Sequence, residues 1–147
     1  MSVQTESSRV GLAVPANLSA GIAGGLAGGV VFGMLMQMMG MIPMIAMLVG
    51  SESVVVGWLV HLAISAFAGG TFAVLFGRQA AAPGPAAGIG VAYGAAWWVL
   101  GALFLMPAKL GMPLFVFNSM AWQSLMGHLI YGLVLGLVYA TLRAKLR

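Results

Sequence analysis

The sequence predicts an all-α integral membrane protein, a four-helix bundle built from two tandem two-helix repeats. Its composition predicts the membrane, because 62% of the 147 residues are hydrophobic and 5% are charged, whereas about 25% are charged in ordinary soluble domains. The placement of the chain's only two histidines, His61 and His128, predicts the repeat, because they occupy matching places in two long apolar runs. Such a chain needs lipid rather than water as its solvent.

Four apolar segments are long enough to cross a bilayer: residues 18–39, 54–76, 86–106 and 119–142. The first would extend for about 33 Å as a helix, which exceeds the hydrocarbon thickness of a membrane. Residues 1–17 form a more polar N-terminal tail, and residues 78–85, RQAAAPGP, form a linker that stops helices. The connectors at 40–53 and 107–118 are apolar, short and interrupted by proline, which is typical of re-entrant or interfacial segments.

A gapless offset of 67 residues relates repeat 1, residues 18–77, to repeat 2, residues 86–147, so that residue 18 falls on residue 85 and residue 77 on residue 144. Spans fall on spans, connectors on connectors, and His61 on His128. Because each repeat has two spans, the copies share one orientation and are related by a pseudo-two-fold axis along the membrane normal. The two imidazoles are then expected at equal depth, facing one another across that axis.

The basic residues predict the orientation in the membrane. Four spans place both termini on one side, and nearly all basic residues then share that side: Arg9, Arg78, Arg143, Lys145 and Arg147. Lys109 alone lies opposite. The positive-inside rule makes the side of the termini cytoplasmic.

The two histidines predict a cofactor site. Small residues follow each at four-residue steps, Ser65 and Gly69 after His61, Gly132 and Gly136 after His128, so that each helix presents an imidazole above a flat strip. This pattern favours a bis-histidine haem b, or a related tetrapyrrole or metal, in membrane electron transfer or in a subunit of a larger complex. The alternative is that the histidines hydrogen-bond across helices and hold the bundle together.

Methionine indicates a second function, a small transporter or channel with copper as its cargo. Met34 and Met38 have a four-residue spacing in a methionine-rich stretch, and thioethers are soft ligands that suit Cu(I). With His61 and His128 they form the candidate metal ligands, and the pore would follow the pseudo-two-fold axis. Methionine is also a flexible filler of apolar interiors.

A glycine face on the first span indicates close helix packing. Gly21, Gly25, Gly29 and Gly33 recur at four-residue steps, which lets two helices approach closely in lipid. The partner is either a helix of the same bundle, a cofactor, or a second copy or larger complex. A third function follows, a structural accessory subunit without a ligand.

The sequence argues against several classes of function. No charged residue lies within a span, which argues against a charged ion pathway, and no nucleophile system is apparent, so that no enzyme is predicted. The basic residues are accounted for by membrane topology, and nucleic-acid binding is not expected. The absence of cysteine excludes disulfides and thiolate metal sites.

The segment HLIYGLVLGLVYA, residues 128–140, resembles the last helix, H-L-x-Y-G-x-x-x-G, of small bacterial four-span membrane proteins of unassigned function. Tyr131 and Gly132 match this pattern, whereas the first repeat has Ile64 and Ser65 in their places. The resemblance implies four spans and a bacterial inner membrane, and it implies no activity.

Overall fold

The computed structural model describes residues 6–146, with side chains from residue 16 onward. Its elements in chain order are α1 (Glu6–Met38), α2 (Ile42–Met47), α3 (Val54–Phe76), α4 (Pro83–Trp97), a π-helical segment (Trp98–Leu105), α5 (Met106–Leu110) and α6 (Ser119–Lys145). The all-α prediction is confirmed, since no strand occurs in the described part of the chain.

Four helical stretches are long and apolar enough to cross a membrane: Ala16–Met38, Val54–Phe76, Pro83–Leu110 and Ser119–Lys145. By length and composition, this is the predicted four-span membrane protein. The third stretch begins inside the predicted linker, because a proline in the first turn of a helix loses no intrahelical hydrogen bond.

The ends of the chain are only partly described. Residues 6–17, part of the predicted tail, belong to α1, whereas residues 1–5 and Arg147 lie outside the described residues, as does the side chain of Arg9.

Consecutive long helices run antiparallel and form a four-sided bundle. The backbones of α1 and α3, of α4 and α6, and of α1 and α6 come into close contact along three of its sides. Side chains alone connect α3 with α4 on the fourth side, through ring contacts such as Phe67 with Trp97 and Phe72 with Tyr93. The bundle is therefore tight on three sides and looser on the fourth.

The predicted glycine face of α1 packs against α3. A Cβ added at Gly21 or Gly25 would collide with the main chain of Gly69 or Ser65, and one at Gly29 or Gly33 would collide with side chains of α3. Because α3 covers this face, a dimer or larger complex through it, one of the interpretations given above, is incompatible with the packing. The interpretation within one bundle fits.

Glycines also bring α4 and α6 together. A Cβ at Gly90 would collide with the carbonyl oxygen of Gly132, and one at Gly94 with that of His128. The reverse holds too, since a Cβ at Gly136 would meet the carbonyl oxygen of Ala86. Small residues on both helices are thus required for this close approach.

The third tight side and the loose side have residues of very different size between their helices. Gly28 of α1 lies against the carbonyl oxygen of Tyr131 in α6. On the opposite side of the bundle, Tyr93 of α4 fills the gap toward α3 and donates a hydrogen bond to the carbonyl oxygen of Ala68, at 2.7 Å. A tyrosine ring separates two helices, whereas a glycine lets them touch.

The two connectors fold differently. In the first, α2 buries Ile42, Ile45 and Ala46 against the bundle, and Ser53 caps α3 by accepting from the amide of Val56. In the second, the apolar residues 111–118 are exposed, with Asn118 capping α6 through the amide of Ala121, at 2.9 Å.

Pro107 leaves a helix carbonyl free, and the second connector hydrogen-bonds to that carbonyl. Proline has no N–H, so it cannot donate to the carbonyl four residues earlier, at Leu103. That carbonyl instead accepts the amide of Phe115, at 3.0 Å, and the Phe115 ring stacks on Phe104 with a centroid distance of 6.1 Å. The π-helical segment ends at Leu105, two residues before the proline, close to where the ordinary helical hydrogen bonds are interrupted.

Candidate functional site

The side chain of His61 extends from α3 to the backbone of α1 and does not face an open site. It is 6% exposed, and its Nε2 donates to the carbonyl oxygen of Gly29 at 2.8 Å. Because a carbonyl oxygen only accepts, Nε2 carries the proton and Nδ1 is the acceptor of the neutral ring. The Ser65 hydroxyl donates to the main-chain carbonyl of His61 at 2.7 Å, within α3.

His128 bonds within its own helix. Its Nδ1 lies 2.8 Å from the carbonyl oxygen of Ser124 and 3.4 Å from the Ser124 hydroxyl. The proton is therefore on Nδ1, and Nε2 is the acceptor. The two histidines thus occupy matching sequence positions but hold opposite tautomers and make different connections.

Phe32 of α1 contacts both imidazoles. Its ring centroid lies 5.5 Å from that of His61 and 4.7 Å from that of His128, both edge to face. Gly127 makes room for it, because a Cβ there would collide with the Phe32 ring. Its one signal in the sequence is that Phe32 is the single aromatic residue of α1, which does not by itself indicate a contact with the histidines.

The residues around the histidines do not fit a haem held between the two rings. The strip of Ser65 and Gly69 is filled by the backbone of α1, and that of Gly132 and Gly136 by the backbone of α4. A macrocycle would need both strips open, together with two ring nitrogens directed at one iron. Each ring bonds to a helix carbonyl through one nitrogen, Nε2 in His61 and Nδ1 in His128, so the nitrogens left without a proton are Nδ1 of one ring and Nε2 of the other.

The candidate copper ligands do not come together either. Met34 and Met38 are 58% and 84% exposed on the outer side of α1, whereas His61 is buried. Within the described residues, no three His, Asp or Glu side chains lie close enough to hold a metal ion. The predicted set of two histidines and two methionines is therefore not one site in this packing.

No family model, no curated protein sequence and no solved structure matches the chain. Inferences about its function therefore rest on its own contacts.

The space between α3 and α6 is filled by two aromatic side chains. Phe72 and Tyr139 are both fully buried, and their ring centroids lie 5.6 Å apart, edge to face. They are related by the offset of 67 residues. The predicted pore between the two halves is closed at this depth.

Buried donors repeatedly bond to main-chain carbonyls of other helices. The hydroxyl of Tyr131 in α6 donates to the carbonyl oxygen of Ser65 in α3 at 2.8 Å, and that of Tyr139 to Gly77 at 3.2 Å. Trp98 Nε1 donates to Ala121 at 2.9 Å. The sequence does not reveal these bonds, because a tyrosine or tryptophan in a span is equally consistent with facing lipid.

Proposed function

We propose that this protein is a structural accessory subunit in the membrane, without an enzymatic role. Its paired histidines then take part in helix packing instead of binding a cofactor. One observation carries the proposal. Nε2 of His61 donates to the carbonyl oxygen of Gly29 on the neighbouring helix, and the Phe32 ring packs against both imidazoles. One nitrogen of each imidazole bonds to a helix carbonyl, and the Phe32 ring fills the space beside both imidazoles.

The chemistry of the other buried donors supports the same role. In lipid the hydrophobic effect does not hold helices to one another, so packing and interhelical hydrogen bonds have to do so. Here Tyr93, Tyr131 and Tyr139 reach carbonyls of neighbouring segments, and glycines bring three pairs of helices into contact. Such side chains favour one rigid arrangement of the bundle.

We also propose that the bundle arose from two tandem repeats. In the first half, Gly21 and Gly25 approach Gly69 and Ser65; in the second, Ala86 and Gly90 approach Gly136 and Gly132. The α3 and α6 positions correspond with the predicted offset of 67, whereas those of α1 and α4 correspond with an offset of 65. The offset deduced from the histidines therefore needs a shift of two residues in the first helix of each pair.

The π-helical segment lies in the interval where that shift arises. Gly94 and His128 meet across α4 and α6 and are 34 positions apart, whereas Gly29 and His61 are 32 apart. The second half therefore has two additional residues between equivalent points. Trp98–Leu105 lies in that interval, and a π-helix takes up additional residues within a continuous helix.

The orientation is part of the proposal. Arg78, Arg143 and Lys145 lie at the end of the bundle that holds the linker and the C-terminus, here called the basic end. Lys109 lies at the other end, among the connectors. The positive-inside rule then makes the basic end cytoplasmic, in a bacterial inner membrane.

Two measurements on the full chain purified in mild detergent test the structural role. One is an absorption spectrum of the oxidised and then the reduced protein, and the other is a metal analysis of the same sample. We expect a colourless protein without stoichiometric metal, whose helix content is the same when haem or Cu(I) is added. A Soret band that is lost in both His61→Ala and His128→Ala would overturn the proposal and restore the cofactor hypothesis.

A further inference from the structure

An apolar groove runs along the outer surface of α1 and α3. Its volume is about 480 Å³, and its walls include Leu18 and Ile22 of α1 and Phe67, Thr71 and Val74 of α3. The groove extends along α3 from residue 66 to residue 75, which is about 14 Å of helix. Both helices belong to membrane-spanning stretches, so hydrocarbon chains are the surrounding solvent.

The walls of the groove present no side-chain hydrogen-bonding group that still needs a partner. Thr71 is the one wall residue with a side-chain hydroxyl, and that hydroxyl already bonds to the carbonyl oxygen of Ala68 at 2.9 Å and to the Tyr93 hydroxyl at 2.6 Å. Phe67 and Val74, in contrast, are 63% and 74% exposed. The groove therefore suits an unbranched hydrocarbon chain.

A cationic side chain lies just beyond one end of the groove. Arg78 follows the wall residues Val74 and Leu75 by four and three positions, and it is exposed. The backbone stays helical through Gly77, whose amide bonds to the carbonyl oxygen of Ala73. This spacing places Arg78 over the same side of the helix as Val74 and Leu75.

We propose that the groove and Arg78 together bind one anionic phospholipid, with an acyl chain in the groove and the phosphate at the guanidinium. Arginine is suited to phosphate because its planar group donates several hydrogen bonds and stays charged. The apolar walls add a requirement for an acyl chain that an inorganic anion does not meet. This inference is independent of the structural role proposed for the histidines.

Native mass spectrometry of the full chain, released from detergent micelles, measures the binding directly. The probes are phosphatidylglycerol and phosphatidylcholine with identical acyl chains, and inorganic phosphate. We expect one tightly retained phosphatidylglycerol per chain and a preference over phosphatidylcholine of about fivefold, as expected for one basic residue near an anionic lipid. Inorganic phosphate should neither bind nor displace the lipid.

Two variants separate the contributions of charge and groove. Arg78→Gln should lose the preference for phosphatidylglycerol and keep binding of both lipids, whereas Lys145→Gln, at the same end on another helix, should keep the preference. Gly70→Leu should lose both lipids, because a Cβ at Gly70 meets Leu18 and Ile22 at 3.4 and 3.6 Å and a longer side chain would fill the groove.

Gly88→Leu is the matched control for the groove, since no atom lies within 4 Å of a Cβ there; it should bind lipid as the unmodified chain does. If Gly70→Leu does not fold, Ala66→Phe fills the same groove from another wall position. Equal binding of the two lipids by the unmodified chain would overturn the proposal. So would displacement by inorganic phosphate, or unchanged binding when the groove is filled.

Discussion

At the scale of single residues, His61 and His128 lie at matching positions of two apolar helices, with small residues at four-residue steps after each, and have different structural roles. His61 connects α3 to the carbonyl oxygen of Gly29 in α1, whereas His128 bonds to the carbonyl of Ser124 in its own helix. A hydrogen bond within one helix does not hold two helices together. The contribution of each histidine to the stability of the bundle should therefore differ.

We predict that His61→Leu destabilises the bundle more than His128→Leu does. The difference should be about 0.6 to 1.7 kcal/mol, the range of interhelical hydrogen bonds in membranes. Equilibrium unfolding in mixed micelles of the two variants, with the unmodified chain as reference, measures it. Equal losses would contradict the assigned roles, and Phe32→Leu tests whether the aromatic contact shared by both rings contributes separately.

The sequence shows a histidine in each of two spans, with small residues beside it. It does not indicate whether a ligand or another helix packs against those small residues. An imidazole above a strip of Gly132 and Gly136 is equally consistent with a ligand or with a helix. Here the helix occupies the strip, because α4 offers its own glycines at Gly90 and Gly94. Which surfaces meet is a property of the whole packing arrangement, and periodicity within one helix does not specify it.

At the scale of helices, the glycines differ in what a side chain would meet. A Cβ at Gly132 would collide with the carbonyl oxygen of Gly90 in α4, whereas one at Gly88 has open space around it. Both are in the interior of helices, so the intrinsic cost of glycine is similar at the two positions. The comparison isolates the requirement for backbone contact.

We predict that Gly132→Ala destabilises the bundle by about 1 to 3 kcal/mol, the usual cost of overpacking a tight contact. Gly88→Ala should be neutral or stabilising by up to about 1 kcal/mol, because alanine favours a helix over glycine. Thermal unfolding followed by circular dichroism compares the two. A loss of the same size in both would indicate that helix propensity, rather than contact between α4 and α6, dominates.

The second connector depends on the missing amide of Pro107. We predict that Pro107→Ala supplies an N–H that competes for the carbonyl oxygen of Leu103 and releases the amide of Phe115. Hydrogen exchange of residues 111–118 should become faster, while the first connector exchanges as before. Protection of Phe115 that is unchanged in this variant would contradict the explanation.

The presence of four long apolar helices was predictable, and the shapes of the connectors were not. Apolar length and the proline-rich linker give the four spans, since the backbone in lipid has to bond to itself. Both connectors are apolar and contain proline, but α2 is buried whereas residues 111–118 are exposed. The close approach of α2 to α3 requires Gly57, where a Cβ would collide with the backbone of Ile42, and a contact between residues this far apart in the chain is not visible in the local sequence.

At the scale of the whole molecule, the bundle has unequal sides. The rings of Phe72 and Tyr139 meet between α3 and α6, Gly28 lets α1 touch α6, and the Tyr93 ring stands between α3 and α4. If the bundle arose from two tandem repeats, as proposed above, Gly28 and Tyr93 are equivalent by the offset of 65. One substitution would then explain why α4 stands apart from α3 while α1 touches α6.

The distribution of charge in the whole molecule predicts its orientation, and the absence of cysteine makes the test simple. Gln79 lies in the exposed linker at the basic end, whereas Glu52 and Met112 lie in the two connectors at the other end and are exposed. We predict that a membrane-impermeant thiol reagent added to intact cells labels Glu52→Cys and Met112→Cys. Gln79→Cys should be labelled only after the membrane is disrupted.

The physical reason is that translocating Arg78, Arg143 and Lys145 is unfavourable, whereas one acidic residue contributes little to orientation. Replacing Glu52 in the assay therefore leaves the determinant of topology intact. Labelling of Gln79→Cys in intact cells would place the basic end outside and contradict the proposed topology. Labelling of all three variants in intact cells would indicate two coexisting orientations, which Lys109→Gln should reduce by removing the basic residue at the connector end of the bundle.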